Sequence, residues 1–487
     1  MPRADTRADL AGETWRELFL RRVGAAPAIQ LEPGRSWSAD ELVARAGGAV
    51  GWMERAGISA GQAVPALLTA TPNALALTLA GALWDRPVAP LGPKLTVAEL
   101  AHCVRGLGAA HLVTDADFVE VAREVGAAAS VSVQVLPSEL SCDERELTSA
   151  PDGDAIAAYL HTSGTTGLPK AVPMREGRLA PRVRHNATAL YMGASTVYVT
   201  AAGYHHIAGL GMILVVLGSG GSVAPMRAFS TDAWQNHCEF GPTHALLVPT
   251  QIEMLLGVGG LDVPTLEVLQ YGASPIHPDT LRASLETIPR VRFVQIYGQT
   301  EGSPITMLDL DDHLRALAGE PELLASSGRA VSGLDLELRD VDAAGVGEVR
   351  ARADHLFAVD RDGWMSTGDL GRLDERGYLF LAGRRGDRII RGGENVYPLE
   401  VERVLEMHPG VGETAVVGFA DRRYGERIAA FIVPRADGAA PSDSELADWC
   451  RERLAHFKVP ERWIFVDGLP RNAAGKLVRR SLEPVVR

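Results

Sequence analysis

Residues 159–174 read YLHTSGTTGLPKAVPM, where hydroxyl side chains and glycines crowd a short loop directly after an apolar run. Glycine lets the backbone turn its N–H groups toward an anion, Ser and Thr hydroxyls add donors, and Lys170 adds a positive charge. These properties predict a phosphate-binding loop. It is not the common P-loop, because Leu168 and Pro169 separate Gly167 from Lys170. A polar surface loop of similar composition is the alternative, which only motifs elsewhere in the chain can exclude.

The composition is that of a globular chain with more than one domain. A length of 487 residues exceeds what one hydrophobic core usually supports, and 46% of the residues are hydrophobic. The formal net charge of -13 argues against nonspecific binding to nucleic acid. An anionic ligand therefore needs a local basic cluster.

The N-terminal segment and the cysteines predict a cytoplasmic protein. The segment MPRADTRADLAGETW carries charges throughout and lacks the apolar core of a signal peptide. The four cysteines show no metal-ligand spacing, which is typical of reduced thiols. The two longest uncharged stretches, 56–84 and 203–226, are interrupted by prolines or rich in glycine, so we expect no membrane span.

Alternation of apolar runs and helical segments predicts an α/β fold with two domains. Up to about residue 330, runs such as HALLVP and RFVQIYG alternate with helical segments such as VAELAHCVRGLG, which is the rhythm of parallel βα units. From Leu334, turn signals and alternation predict an antiparallel or barrel-like part that closes the large domain. A second βα pattern follows Arg384. We therefore predict a large N-terminal domain of βα-layered sheets at 1–383 and a small α+β domain at 384–487.

Three helix starts follow from local side-chain chemistry. Thr71-Pro72 reads as an N-cap and first helical residue, and Pro398 reads as the first residue of another helix. Ser442 to Glu445 reads as a capping box. We prefer this interpretation of Ser442 to a carrier-protein attachment serine.

Several further motifs offer groups that bind a nucleotide. Tyr297 in IYGQTEG can stack on a base, and Glu301 in the same motif can hold Mg²⁺. Asp369 in STGDLG can accept hydrogen bonds from both ribose hydroxyls. Arg384, in GRRGDRIIRGGENVYPLEVE, and Lys476, in LPRNAAGKLVRR, supply local positive charge. Each motif alone is equally typical of an ordinary turn.

In order along the chain, TSGTTGLPK, YHHIAGL, YGASP, YGQTE, STGDLG, GRRGDRIIRGGENVYPLEVE and PRNAAGK resemble the adenylate-forming superfamily. That superfamily contains acyl- and aryl-CoA synthetases, nonribosomal adenylation domains and firefly luciferases, and the resemblance covers nearly the whole chain. It implies a two-step reaction with ATP, Mg²⁺ and a small-molecule carboxylic acid. The carboxylate attacks the α-phosphate and releases pyrophosphate, and a nucleophile then takes the acyl group from the adenylate.

The resemblance also implies roles for individual residues. The loop that binds the β- and γ-phosphates would comprise Thr162, Ser163, Gly164, Thr165, Thr166, Gly167 and Lys170. The adenine and α-phosphate site would comprise Gly272, Ala273, Tyr297, Gly298 and Thr300, and magnesium would be bound by Glu301 and Thr166. Asp369 and Arg384 would hold the ribose, Lys476 would bridge the carboxylate and the α-phosphate, and His206 would line the acyl pocket. A packed histidine is the alternative for His206.

In this superfamily the small C-terminal domain is mobile and rotates between the two half-reactions, which implies a hinge near Arg384. The hinge position is usually Asp or Lys, but here it is Gly386, which widens the allowed backbone angles and should loosen the preference for either pose. The chain before Asp362 is also shorter than in most relatives. That loop lies outside the nucleotide motifs, so we expect adenylation to survive.

The sequence favours an acid that is not an amino acid. Amino-acid-activating relatives usually carry an Asp near YHHIAGL that holds the α-ammonium group, and this sequence has none there. HHIAGLGMILVVL and VPTQIEMLL offer apolar walls, with Gly209 and Gly211 leaving room. We therefore expect an aryl or medium-chain acid.

Coenzyme A is the expected acceptor, because the sequence contains no fused carrier domain. The main alternative is a stand-alone enzyme that passes the acyl group to a carrier protein, an amine or another nucleophile. A noncatalytic nucleotide-binding protein of the same fold is a further alternative. Intact Lys476, Glu301 and Asp369 argue against it.

Overall fold

The structure is a computed structural model that describes residues 13–487 except for 23, 25, 148–152, 164–167, 273–275, 436–439, 472–476, 483–484 and 486–487. The chain divides into two compact units, of which the first comprises Met1–Asp335 and Arg352–Gly363 and the second comprises Leu336–Ala351 and Trp364–Arg487. The boundary near Arg384 stays a prediction, because a division into compact units does not identify a hinge.

The first unit contains a nine-stranded mixed sheet. With strands numbered in chain order, its members are β1 (Pro27–Glu32), β2 (Arg35–Ser38), β9 (Val197–Thr200), β10 (Ser222–Pro225), β11 (His244–Leu247), β12 (Val268–Tyr271), β13 (Arg292–Gln299), β14 (Gly302–Leu308) and β15 (Arg329–Ala330). Their order is β15-β14-β13-β12-β11-β9-β10-β1-β2. The strands from β13 to β1 in this order run parallel, and the outer ones pair antiparallel.

A second sheet of the first unit has six strands. They are β3 (Val64–Leu67), β4 (Val88–Pro90), β5 (His111–Thr114), β6 (Ser132–Val135), β7 (Ile156–Ser163) and β8 (Pro169–Arg175). Their order is β6-β5-β3-β4-β7-β8, and the last pair is an antiparallel hairpin beside otherwise parallel strands. The rhythm of βα units that the sequence predicts is thereby confirmed.

Helices connect the strands of both sheets. They are α1 (Trp15–Leu20), α2 (Ala39–Arg55), α3 (Pro72–Leu83), α4 (Val97–Gly106), α5 (Val119–Ala129), α6 (Glu176–Ala189), α7 (Met212–Ser219), α8 (Thr231–Cys238), α9 (Pro249–Gly257), α10 (Pro278–Thr287) and α11 (Leu310–Ala318). Helices α3 and α7 are buried along almost their whole length, which is why their sequences carry no charge. One continuous core contains side chains from both sheets and from α1, α2, α3, α6 and α7.

The second unit contains two smaller sheets and two helices. Its elements are β16 (Asp335–Arg339), β17 (Gly347–Arg352), β18 (Met365–Leu373), β19 (Leu379–Arg384), β20 (Ile389–Arg391), β21 (Glu394–Val396), α12 (Pro398–Glu406), β22 (Val411–Asp421), β23 (Gly425–Pro434), α13 (Asp443–Arg451) and β24 (Arg462–Phe465). Strands β16 to β19 form one sheet, and β21-β20-β23-β22, with β24 beside β23, form the other. The antiparallel part predicted from Leu334 is therefore present, and it groups with the C-terminal residues.

The predicted helix starts are confirmed. Thr71 accepts a hydrogen bond from the Ala74 amide at the start of α3, and Pro398 is the first residue of α12. Ser442 and Glu445 form a reciprocal capping box. Among the described residues, none of the helices has both the length and the apolar character that crossing a membrane requires.

Candidate active site

The predicted phosphate loop joins two paired strands. β7 ends at Ser163 and β8 begins at Pro169, and these two residues are partners in the hairpin. The next pair is Thr162 with Lys170, so both flank the base of the loop. Residues 164–167, which carry four of the predicted phosphate ligands, lie outside the described residues.

The turn that contains Glu301 lies beside this hairpin. It joins β13 to β14, and Thr300 precedes Glu301 in it. The Thr162 hydroxyl donates a hydrogen bond to Glu301 Oε1 at 3.3 Å, and the Phe357 amide donates to the Glu301 carbonyl oxygen at 2.7 Å. The structure therefore brings together a phosphate-loop residue and the predicted magnesium ligand.

The predicted adenine-binding residues lie at the carboxyl ends of adjacent parallel strands. Gly272 follows β12, and Tyr297 lies on β13. A Cβ at Gly272 would stand 3.0 Å from the Ile296 carbonyl oxygen, so the backbones approach closely there. At Gly298 a Cβ would stand 2.7 Å from Ser303 Cβ, which explains glycine in the hairpin. Ala273 lies outside the described residues.

His206 begins a single π-helical turn, Ile207–Gly211, before α7. Its ring lies 3.9 Å from that of His205, centroid to centroid. Burial, and next the neighbouring His206, lower the pKa of His205 to about 3, so this imidazole is neutral at physiological pH. The neutral, buried imidazole of His205 can contact an uncharged part of a ligand.

The glycines of this turn do not leave open space for an acyl group, contrary to the sequence-based expectation. A Cβ at Gly209 would stand 2.1 Å from the Gly203 carbonyl oxygen, because two backbone segments pack directly on each other. At Gly211 a Cβ would stand 2.7 Å from Ile207 Cδ1 and 3.3 Å from Arg182 Nη2. These glycines permit close packing.

A histidine that sequence reasoning did not select lies on β7, directly before Thr162. Both ring nitrogens of His161 are buried and have no hydrogen-bond partner. Burial, and next His102, lower the pKa of His161 to about 4. The residue precedes the TSG motif, and its position in the strand gave no signal that it would be buried.

In the second unit, the two predicted ribose ligands contact each other. Asp369 and Arg384 are directly paired across β18 and β19. Arg384 Nε lies 2.8 Å from Asp369 Oδ1, and Arg384 Nη1 donates to the Thr367 carbonyl oxygen. The Asp369 carboxylate is largely buried and has a fixed orientation.

The predicted hinge residue, Gly386, needs no special backbone geometry in this structure. A Cβ would meet nothing within 4 Å, and its φ lies outside the left-handed region. The next residue, Asp387, accepts a hydrogen bond from Arg479 at 3.2 Å. Asp342, which precedes Gly386 in the chain, accepts hydrogen bonds from two residues that follow Gly386. The Tyr397 hydroxyl donates at 2.6 Å, and the Asn395 side chain donates at 3.1 Å.

A His-Asp-His cluster supports the segment 352–363. His185 Nε2 lies 2.9 Å from Asp354 Oδ1, and His355 Nε2 lies 2.8 Å from the Pro304 carbonyl oxygen. The hydrogen bond from His185 is the main cause of the strongly lowered pKa of Asp354. One ligand atom from each of the three residues lies within 4.8 Å of the others, so they could also hold a metal ion.

A surface cavity of about 410 Å³ lies away from these motifs. Its lining includes Thr243, Glu267 and Arg292, which precede or begin β11, β12 and β13. The motif residues follow the opposite, carboxyl ends of β12 and β13, where open α/β sheets bind ligands. We therefore assign this cavity no role in the site.

Comparison with known families agrees with the motif pattern. A family model described as AMP-binding enzyme matches residues 18–358, and another, described as AMP-binding enzyme C-terminal domain, matches residues 400–476. These ranges contain all the predicted site residues except Asp369 and Arg384.

Individual relatives cover almost the whole chain. The fatty acid–[acyl-carrier-protein] ligase ScoC of Streptomyces coeruleorubidus is 33% identical over 490 residues, covering 94% of this chain and 92% of that protein. The structure of the amide bond synthetase McbA from Marinactinospora thermotolerans matches with a TM-score of 0.85 and 28% identity, covering 97% of this chain and 100% of that chain. The structure of the o-succinylbenzoate coenzyme A synthetase MenE from Bacillus subtilis, solved with ATP and a magnesium ion, matches with a TM-score of 0.83 and 27% identity. The match covers 96% of this chain and 98% of that chain.

Proposed function

Because the chain belongs to the AMP-binding enzyme family, we propose that it activates a carboxylic acid with ATP and transfers the acyl group to coenzyme A. The observation that supports this most directly is the hydrogen bond between Thr162 and Glu301. It joins the phosphate loop to the residue predicted to bind magnesium. Such a junction suits a reaction in which charge builds up on a phosphate.

In the first half-reaction, a carboxylate oxygen of the acid attacks the α-phosphorus and pyrophosphate leaves. Glu301 and Thr166 would hold Mg²⁺, and the Glu301 carboxylate beside the Thr162 hydroxyl provides the oxygen chemistry that this ion prefers. Bound there, the ion would neutralise phosphate charge. Thr300 would contact the α-phosphate, and Lys476 would bring the two anions together.

The remaining nucleotide contacts follow from the same proposal. Gly272, Ala273, Tyr297 and Gly298 would flank the adenine, and the Ile296 carbonyl oxygen approaches Gly272 closely there. Asp369 would accept hydrogen bonds from the ribose hydroxyls, with Arg384 fixing its carboxylate. Ser163, Gly164, Thr165, Gly167 and Lys170 would bind the outer phosphates.

In the second half-reaction, the thiol of coenzyme A attacks the acyl carbon, loses its proton, and displaces AMP. Domain rotation about Gly386, with the boundary at 383/384, would exchange the Lys476 loop for the acceptor face. We propose that the substrate is an aryl or medium-chain acid that is not an amino acid. His206 and the apolar residues after it would line its pocket. A cytoplasmic location is supported by the four free cysteines.

A second candidate function is transfer to a carrier protein or an amine. The observation that favours it is the similarity to the carrier-protein ligase ScoC over 94% of this chain, together with the likeness to the amide bond synthetase McbA. Activation of the acid would be unchanged, and only the acceptor would differ.

The test is pyrophosphate release from ATP with a panel of carboxylic acids, with and without Mg²⁺. We expect Mg²⁺-dependent release with at least one acid, and no release with any acid would contradict the proposal. Adding coenzyme A, an acyl carrier protein or an amine to the productive acid then identifies the acceptor. Thioester formation with coenzyme A supports the first candidate, and product formation only with the other acceptors supports the second.

A further inference from the structure

A buried arginine without a counterion lies on α6. Arg182 is 1% exposed, and its Nε and Nη1 atoms have no hydrogen-bond partner. Within the described part of the chain, no carboxylate forms an ion pair with it. Burial lowers the pKa of Arg182 to about 9, and only the interaction with Tyr198 raises it. The guanidinium is therefore still charged at neutral pH.

Such an arrangement is unfavourable unless something else compensates the charge. Burying an ion without a counterion costs roughly several kcal/mol of folding stability, and buried hydrogen-bond donors normally have an acceptor. The Tyr198 hydroxyl on β9 is also buried and lies beside Thr200. The guanidinium thus offers N–H groups on Nε and Nη1 that no described protein group accepts, which suits an anionic ligand with oxygen acceptors.

The position of Arg182 connects it to the acid site. Its Nη2 atom lies 3.3 Å from the point where a Cβ of Gly211 would stand, so the guanidinium contacts the π-helical turn that follows His206. Single π-helical turns are frequent at functional sites. Arg182 is also close enough to His355 to depress its pKa, and His355 contacts the Pro304 carbonyl, three residues beyond Glu301.

The guanidinium therefore lies near two segments of the proposed active site. One segment contains His206, and the other contains the Glu301 turn. An acid whose reactive carboxylate faces ATP would extend away from the nucleotide, and a charged group at its far end would need a cation there.

We propose that Arg182 binds a second anionic group of the acid substrate, so that the preferred acid is a dicarboxylic acid or a similar dianion. This rests on the proposed function and narrows the substrate class. One carboxylate is activated by ATP, while the other accepts hydrogen bonds from the guanidinium. Arg182 is thus a residue that determines specificity and takes no part in bond making.

The test compares acids of equal chain length, octanoic acid against octanedioic acid and phenylacetic acid against carboxyphenylacetic acid, by pyrophosphate release. For the wild type we expect a higher kcat/KM with the diacid of at least one pair. Arg182→Met should lower kcat/KM for that diacid about 100-fold, as expected for loss of a charge-assisted pair, and leave the monoacid nearly unchanged. Arg182→Lys should retain part of the preference.

The matched control is Arg175→Met, which removes an exposed arginine at the start of the same helix. Folding is checked by thermal melting, and loss of an unpaired buried charge should leave the Tm of Arg182→Met equal or higher. If Arg182→Met does not fold, the diacid should still raise the Tm of the wild type more than that of Arg182→Lys.

Equal activity of the monoacid and the diacid in both pairs, or an equal loss for monoacid and diacid in Arg182→Met, would overturn the inference while leaving the proposed function intact. Absence of pyrophosphate release with every acid would instead count against the proposed function itself.

Discussion

Arg384 Nε lies 2.8 Å from Asp369 Oδ1 across the antiparallel strands β18 and β19, and the same guanidinium donates to the Thr367 carbonyl oxygen. The arginine thus has two acceptors on the neighbouring strand. It holds the Asp369 carboxylate in one orientation without a nucleotide. The ribose hydroxyls take no part in bond making, so a contact to them binds ground and transition states nearly alike.

Asp369→Ala should therefore raise the apparent KM for ATP with little change in kcat. Loss of hydrogen bonds to a charged group costs about 1.5–3 kcal/mol, which corresponds to roughly 10- to 100-fold in KM. Initial rates of pyrophosphate release at varied ATP measure both constants. Glu375→Gln, an exposed change in the same hairpin, is the control. A large fall in kcat at unchanged KM would contradict the ribose role.

Glu301→Gln should abolish Mg²⁺-dependent adenylation. The amide can still accept the hydrogen bond from Thr162, so the local fold should persist, but it does not offset the charge of a divalent ion. We expect a loss of about 100-fold or more in kcat and a weaker Mg²⁺ dependence. Glu286→Gln on the exposed face of α10 serves as the control. Wild-type turnover in Glu301→Gln would rule out its role as a magnesium ligand.

Lys476→Ala should slow one half-reaction only. The residue lies outside the described part of the chain, so this prediction rests on the match to PRNAAGK. Removal of one preorganised charge partner costs on the order of 10²- to 10³-fold in the adenylation rate. Acyl transfer from a presynthesised acyl-adenylate to coenzyme A should be spared. Equal losses in both half-reactions would mean that the lysine stabilises the domain and does not serve adenylation.

Glu176 should make stability depend on pH. It is fully buried at the start of α6, its Oε2 accepts a hydrogen bond from the Arg16 amide at 2.8 Å, and burial raises its pKa to about 7. The folded state therefore binds the proton more tightly than the unfolded state does. The contribution of Glu176 to the free energy of unfolding is therefore greatest below pH 4.5 and decreases as the pH rises toward about 7.

Glu176→Gln should remove this dependence. At pH 8 the variant should be more stable than the wild type, by at most about 3 kcal/mol, because each pKa unit corresponds to about 1.4 kcal/mol. Near pH 4.5 the two should be equal. Thermal or urea unfolding across this range measures the difference, with exposed Glu120→Gln as the control. Parallel pH profiles for Glu176→Gln and the wild type would exclude a titrating Glu176.

Features that depend on neighbouring residues were predictable from the sequence. The caps at Thr71, Pro398 and Ser442 need only a few adjacent side chains, and all three are confirmed. The alternation of apolar runs likewise predicts parallel strands whose carboxyl ends carry the motifs. Alternation and turn residues from Leu334 onward predict the antiparallel strands β16 to β19 in the same way.

Contacts between distant segments were not predictable from a single sequence. Thr162 and Glu301 are 139 positions apart, so their contact depends on the packing of two different sheets. Arg182 lies in the polar segment EGRLAPRVRHN, and it is buried because its helix packs against elements from other parts of the chain, such as α1, α7 and β14. The expectation for Gly209 was wrong for a local reason, because the chain folds back on itself and the Gly203 carbonyl oxygen, six residues earlier, fills the space beside Gly209.

The hydrogen bonds that Asp342 accepts from Tyr397 and Asn395 join chain segments on either side of Gly386. A rotation about Gly386 that carries Tyr397 and Asn395 away from Asp342 exchanges both bonds for bonds to water. Each bond to a carboxylate contributes about 1.5–3 kcal/mol, so together they favour this arrangement by a factor of roughly 100 or more. If the proposed rotation occurs, Asp342 would therefore help to set the fraction of time that the chain spends in each arrangement, although the proposed function gives it no contact with a substrate.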